Sequence, residues 1–177
     1  MRSAESTSSS VFSVHVNQRS IQTMDVINPH ELTRAVQQVF SSLLGLELLD
    51  GNGERPPDFP PDRKVSAAVG INGDWNGAVV FECGTGTACH LAGVMMGSQA
   101  PAHVDEDVKD VIGEITNMVA GTFKNCLPGH SILTLPCFIE GSDYSMDIIQ
   151  GQRLISQPML YEGKGIVLSV IKANGRH

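Results

Sequence analysis

The segment DVIGEITNMVAGTFKN, Asp110 to Asn125, carries an apolar stripe together with polar residues and two glycines. With 3.6 residues per turn of helix, six apolar side chains in and just before this segment fall within an arc of about 120°. An arc of this kind indicates a helix that packs one face against another layer of the protein. The six residues are Val108, Val111, Ile112, Ile115, Met118 and Val119.

The other side of this predicted helix carries polar residues and is bordered by two glycines, which have no side chain. Asp110, Glu114 and Asn117 follow i, i+4, i+7 spacing, so they stand in line within about 60°. Gly113 and Gly121 border the same surface, although a glycine inside a helix costs about 1 kcal/mol relative to alanine. We therefore predict that this face receives another backbone or side chain at close range. The alternative interpretation is the ordinary solvated side of an amphipathic helix.

Two further helices are predicted on the N-terminal side, and the segment above belongs to a third. The first runs from about 29 to 44, with Asn28 as its cap and Gly45 as its stop. The second is TGTACHLAGVMMG, residues 85–97, capped by Thr85 or Thr87. The third is expected from about 105 to 127, because acidic residues open it and Pro128-Gly129 forbids its continuation.

The rest of the chain shows strand patterns. KVSAAVGIN and NGAVVFE flank Asn72-Gly73 and predict a hairpin, and all later segments alternate or are apolar. Helices and antiparallel strands are thus segregated, which predicts an α+β fold: an antiparallel sheet of about six strands with three main helices packed on it. The later strand segments are ILTLPCFIE, YSMDII, RLISQPMLY and GIVLSVIKA.

The length and composition predict one globular domain with an added arm. The chain has 177 residues, a mass of 19.0 kDa, 41% hydrophobic and 18% charged residues. Residues 1–27 begin with the serine-rich run SAESTSSS and continue into VFSVHVNQ, which could pair as one extra strand. We therefore assign 1–27 to an N-terminal arm and 28–177 to the folded domain.

Charge and cysteine usage exclude several classes of function. The net charge is -7 and the 12 Lys and Arg residues are scattered, so we expect neither a nucleic-acid partner nor insertion into a membrane. No apolar run reaches the roughly 18 residues of a membrane span. The four cysteines form no C-x-x-C pair and no secretory signal opens the chain, which predicts reduced thiols and a cytoplasmic location.

The sequence also lacks the usual signatures of metal and cofactor sites. The GTG of FECGTGTACHL lacks the remaining glycines and the lysine of a phosphate-binding loop, so it is interpreted as a helix-entry turn. Cys83, Cys89 and His90 would need a fourth ligand and a different spacing to hold structural zinc. We expect no metal and no cofactor bound by this chain itself.

Several segments together resemble one known family. GEITNMVAGTFKN has the form of a signature helix written D/S-x3-E-x2-N followed by small residues, and the match extends from about Asn28 to Lys172. On these residues the chain resembles the CheC/CheX/FliY family of bacterial chemotaxis phosphatases, and most of all its CheX branch. The other segments that carry the resemblance are NPHELTRAVQQVFSSLLG, GINGDWNGAVVFE and ILTLPCFI.

The resemblance implies a CheC/CheX-like fold and a phosphatase that acts on the phosphoaspartate of a phosphorylated CheY-like response regulator. By position in the motif, Glu114 would pair with the lysine of the receiver domain and Asn117 would position the attacking water. Asp110 matches the first motif position and takes a supporting role. Any Mg²⁺ would belong to the partner receiver domain. The alternative is a noncatalytic adapter or flagellar-switch component that binds the receiver through the same helix.

Some members of this family carry two such helices, so a second motif would be expected on the first helix if this chain did the same. Aligning Gly45 with Gly121 matches none of the motif residues, which argues against a second active site. The resemblance also implies a homodimer, and GIVLSVIKA is apolar on both faces, as a strand in an interface would be. The aligned pairs are Arg34 with Asp110, Gln38 with Glu114 and Ser41 with Asn117.

Overall fold

Residues 27–51, 63–140 and 151–174 are described by a computed structural model of the chain, and three helices in these ranges pack on one face of a β-sheet. Residues 1–26 of the predicted arm and the predicted strand YSMDII, residues 144–149, lie outside the described ranges. The elements are α1 (Pro29–Val39), β1 (Leu49–Asp50), β2 (Lys64–Gly73), β3 (Gly77–Gly84), α2 (Thr85–Met96), α3 (Glu106–Phe123), β4 (Ser131–Leu133), β5 (Cys137–Glu140), β6 (Gly151–Tyr161) and β7 (Lys164–Ala173).

Within the described ranges seven strands form one antiparallel sheet, which confirms the predicted α+β class. The order is β1-β6-β7-β3-β2-β4, and β5 pairs with β2 on the same side as β4. The segment ILTLPCFIE was predicted as one strand, but Thr134, Leu135 and Pro136 interrupt it. A proline cannot donate to the ladder, which accounts for a break near Pro136.

The predicted hairpin between β2 and β3 is confirmed, and its loop consists of Asp74, Trp75 and Asn76. Asn72 and Gly73 remain in β2, where they pair with Ile132 and Ser131 of β4. The turn is closed by Asn76, which accepts from the Gly73 amide at 3.2 Å and donates to the Gly73 carbonyl at 2.8 Å. The predicted turn, NGDW from Asn72 to Trp75, overlaps this loop but begins two residues too early, because Asn72 and Gly73 stay paired in β2.

Helices α1 and α2 follow their predicted ranges but not every predicted cap. The Asn28 side chain accepts from the His30 amide at 3.0 Å and caps α1, which continues through a five-residue π-helical turn, Phe40–Leu44, to Gly45. The N-cap of α2 is Gly84, with no side-chain cap bond, so the prediction of Thr85 or Thr87 was wrong. No helix in the described ranges has the length and apolar character needed to cross a membrane.

The core lies between the helices and alternate residues of the central strands. Val65, Val69, Phe81 and Leu168 point to the helical layer and are completely buried. All residues of β7 from Ile166 to Ile171 are buried within the single chain. A single chain does not test a contact between two copies through this strand, and homodimerisation stays a prediction.

Candidate active site

Helix α3 is fixed to the sheet by its apolar stripe and its N-cap. The Asp105 carboxylate accepts from the Val108 amide at 3.0 Å, which begins the helix one residue after the predicted start. Five of the six predicted stripe residues are buried, and Met118 is half-buried against the same core. The opposite side of α3 is therefore held in a fixed orientation away from the sheet.

The three polar residues of the predicted motif lie on this accessible side. Asp110 and Glu114 are exposed, and Asn117 is half-buried one turn beyond Glu114. Within the described ranges, no hydrogen bond or ion pair engages the side chain of any of the three. A carboxylate and an amide left unsatisfied on a rigid helix are available to a partner molecule.

A shallow groove of about 480 Å³ runs beside the N-terminal half of α3. One wall is acidic, and the other is formed by the glycine gap in α3 and by two apolar side chains from the neighbouring edge of the sheet. Lys109 also lines the groove and pairs with Glu106 at 2.7 Å. The acidic wall consists of Glu106, Asp110 and Glu114, and the second wall of Gly113, Pro136 and Phe138.

Gly113 and Gly121 were predicted to let another backbone or side chain come close, and the nearest neighbours at both positions belong to this chain. A Cβ atom added at Gly113 would lie 3.3 Å from Cβ of Pro136, a distance tighter than ordinary packing. One added at Gly121 would lie 3.8 Å from Cδ1 of Leu133, which is an ordinary van der Waals contact. The close approach at Gly113 therefore belongs to the segment between β4 and β5, and Gly121 has no steric need for glycine.

That segment, Leu133–Pro136, is named the β4–β5 connector below. The Thr134 amide donates to the Gly70 carbonyl at 2.9 Å, and the Gly70 amide donates to Oγ1 of Thr134 at 2.9 Å. These two bonds attach the connector to β2, while Pro136 attaches it to α3. Sequence reasoning missed Pro136 and Phe138 as groove residues, and the one available signal was a proline inside an otherwise regular strand pattern.

The described residues place no metal-binding cluster at the groove, and two of the four cysteines have raised thiol pKa values. Among the described residues, no group of three or more His, Cys, Asp or Glu side chains is placed to hold a metal ion. Burial raises the pKa of the Cys83 thiol, and the nearby Cys89 and Glu82 add to the shift. Burial and a hydrogen bond to Glu31 likewise raise the pKa of Cys126. Raised pKa values leave both thiols protonated and poorly nucleophilic at neutral pH.

The residues on the accessible side of α3 can supply charge and hydrogen bonds to a partner. Glu114 offers a carboxylate to a cation, and the Asn117 amide offers both a donor and an acceptor. A rigid pair of this kind can orient a water molecule or a side chain of another protein.

Three comparisons relate the chain to known proteins. A curated relative, "CheY-P phosphatase CheX" from Thermotoga maritima, is 26% identical over 123 residues, covering 68% of this chain and 79% of the relative. The crystal structure of chemotaxis protein CheX from Vibrio vulnificus superposes with a TM-score of 0.66 at 22% identity, covering 80% of this chain and 93% of that one.

A second solved structure is the CheX-CheY-BeF3-Mg+2 complex from Borrelia burgdorferi. It superposes with a TM-score of 0.64 at 21% identity, and the match covers 84% of this chain and 99% of that one. At this identity the two superpositions establish the shared fold. The sequence model of the family described as "Chemotaxis phosphatase CheX" matches residues 65–160, which is more than half of the chain and includes the whole of α3. The chain therefore belongs to the chemotaxis phosphatase CheX family.

Proposed function

We propose that this protein is a phosphatase that hydrolyses the phosphoaspartate of a CheY-type response regulator. The observation that carries the proposal is the pair of polar side chains Glu114 and Asn117, one turn apart on the accessible side of α3 and without a partner in the described ranges. Family membership and the names of the relatives, a CheY-P phosphatase and a CheX-CheY complex, support the same substrate.

The chemistry requires little from the enzyme beyond alignment. A phosphoaspartate is an acyl phosphate, so its P–O bond to the carboxylate is already activated towards attack by water. Asn117 enters the receiver's site and orients that water, because its amide can both accept from the water and donate to a neighbouring oxygen. The products are the free aspartate and inorganic phosphate. An amide also brings no charge to repel the phosphoryl oxygens.

Glu114 holds the two proteins in register. Its carboxylate, exposed and without an ion pair in the described ranges, takes the lysine of the receiver's active site. Such a charge-assisted contact gains strength when docking excludes water. Asp110 supports Glu114 by adding negative charge to the same wall of the groove. Mg²⁺ is assigned to the receiver domain, in keeping with the composition of the CheX-CheY-BeF3-Mg+2 complex from Borrelia burgdorferi.

We place this activity in the cytoplasm. The four cysteines are free thiols, as expected of a reducing compartment. The net charge of -7 supports a protein partner over a nucleic acid or an anionic membrane.

Phosphate release from a phosphorylated receiver tests the proposal. Wild-type protein is expected to accelerate release, and Asn117→Ala to lose on the order of 10² to 10³ in rate, as when one preorganised transition-state group is removed. Asn125→Ala, at an exposed position just beyond the same helix, is the matched control and should keep the wild-type rate. A wild type that binds the phosphorylated receiver without changing its rate of hydrolysis would establish the noncatalytic adapter instead.

A further inference from the structure

The large apolar side chain with the greatest exposure in the described ranges belongs to the β4–β5 connector. Leu135 has 88% of its surface exposed, compared with 72% for Ile132 and 65% for Leu49. A single exposed leucine is ordinary on a protein surface. Leu135 differs in two respects: its neighbours in the chain are attached to the body of the protein, and the residue after it lines the α3 groove.

The neighbours of Leu135 on both sides are attached to the body of the protein. Thr134 makes two hydrogen bonds of 2.9 Å to Gly70, and its hydroxyl also donates to the Leu135 carbonyl at 3.1 Å. Pro136 packs against Gly113 of α3. The backbone is thus held on both sides of Leu135, whose side chain is exposed.

The connector runs alongside the turn of α3 that carries Asn117. Leu133 lies at Gly121 and Pro136 at Gly113, two helix positions separated by about 12 Å along the axis. The connector therefore contacts α3 on both sides of Asn117, which lies midway between the two glycines in the helix.

Leu135 directly precedes the apolar part of the groove lining in the chain. Pro136, the next residue, and Phe138 line the groove opposite Asp110 and Glu114. Carboxylates on one side and an apolar rim on the other match a partner that presents a lysine beside an apolar surface.

We propose that Leu135 is an apolar anchor that seats the receiver domain of the response regulator against the α3 groove. This inference rests on the proposed function and adds a docking residue to it. The occupant is the receiver domain because the anchor is continuous with the groove that holds Glu114, the residue that meets the receiver's lysine. An apolar contact next to a charge pair also excludes water from that pair, which strengthens it.

The role of Leu135 is binding and not chemistry, since a leucine side chain can neither orient water nor stabilise charge. Replacing it should weaken the complex and leave the bound reaction unchanged. We expect Leu135→Asp to raise Kd and KM about tenfold with kcat retained, which corresponds to about 1.4 kcal/mol of binding free energy.

The experiment uses the full chain and the CheY-type receiver whose dephosphorylation it accelerates most. Affinity is measured on that receiver loaded with beryllofluoride and Mg²⁺, which mimics the acyl phosphate, and kcat and KM are measured by phosphate release. Leu135→Met keeps the apolar surface and should stay near the wild type. Unchanged melting temperatures confirm that each variant is folded.

Ile132→Asp is the matched control. Ile132 is an exposed apolar residue three positions away on the same edge of the sheet. Its neighbour Leu133 packs towards α3, so strand alternation directs Ile132 to the opposite face of the sheet. Ile132→Asp should therefore leave Kd, KM and kcat unchanged.

Two results overturn the inference while sparing the proposed function. One is a Kd for Leu135→Asp equal to that of the wild type while Asn117→Ala still loses its rate. The other is a change in the oligomeric state of Leu135→Asp, measured by sedimentation, with unaltered receiver affinity, which would assign Leu135 to a contact between copies of this chain. A wild type that neither binds nor dephosphorylates any receiver would overturn both.

Discussion

Helices α1 and α3 pack against each other on the same sheet, and each presents three polar residues at matching positions. On α1 two of the three side chains interact within their own helix: Arg34 pairs with Glu31 at 3.6 Å, and the Ser41 hydroxyl donates to the backbone carbonyl of Gln38 at 3.2 Å. On α3 the corresponding side chains make no such bonds within the described ranges. The two helix faces therefore differ in how many of these polar side chains are engaged within the chain: two of three on α1, and none of three on α3 within the described ranges.

The two helices also differ at their aligned glycines. Gly45 ends α1 after a π-helical turn and adopts the left-handed conformation, with φ of 65°. Gly121 lies inside α3, which continues for two more residues as regular helix. The motif of α3 is thus displayed on an undistorted helix, whereas Ser41 lies in the distorted turn at the end of α1.

The largest expected effect concerns the charge of the water-positioning residue. Asn117→Asp keeps a hydrogen-bond acceptor of the same shape but removes the donor and adds a negative charge near the phosphoryl oxygens. We expect the rate of phosphate release to fall about 10³-fold, and the matched Ser41→Asp on α1 to retain the wild-type rate. If Asn117→Asp were as fast as the wild type, the residue at this position would act as a general base and the amide would have no special role.

A smaller effect is expected from reversing the charge of the docking residue. Glu114→Lys places a cation against the receiver's lysine, so affinity for the activated receiver should fall on the order of 10-fold to 100-fold. Gln38→Lys on α1 adds one positive charge at another exposed position, compared with a change of two units for Glu114→Lys. It should leave affinity nearly unchanged. Isothermal titration at low and moderate salt measures both variants, and the loss should shrink as salt screens the repulsion. Equal losses for both variants would mean that docking responds to net charge and not to Glu114.

The fold and the motif helix could be predicted from sequence because they depend on periodic patterns. The apolar stripe of α3 placed Glu114 and Asn117 on its accessible side without knowledge of any contact. The second wall of the groove could not be predicted in this way, since it depends on a contact between Gly113 and Pro136 across separate segments. The sequence suggested that Gly113 makes room for something; only the packing of the connector identifies the occupant as this chain.

The predicted cap of α2 and the predicted start of the β2–β3 turn differ from the structure for a related reason. Thr85 and Thr87 have the right residue type to cap α2, but the chain begins that helix directly from β3, with Gly84 at the cap. Asn72-Gly73 has the right composition for a hairpin turn, but its pairing with β4 keeps it in β2. In both cases a tertiary contact or a neighbouring element overrides a local preference.

The smallest expected effects are changes in the free energy of unfolding, which have opposite signs at the two aligned glycines. Alanine at Gly45 must adopt a positive φ, so Gly45→Ala should lower the free energy of unfolding by about 1 kcal/mol. Alanine at Gly121 has room, since its Cβ would lie 3.8 Å from Leu133, so Gly121→Ala should raise the free energy of unfolding by about 0.5 to 1 kcal/mol. In a chain of this size either change moves the melting temperature by about 2 to 4 °C, in opposite directions, as thermal denaturation would detect. Destabilisation by Gly121→Ala would instead show that the connector needs closer contact with α3 than the structure indicates. Glycine would then be required at both aligned positions, although only Gly45 has a positive φ.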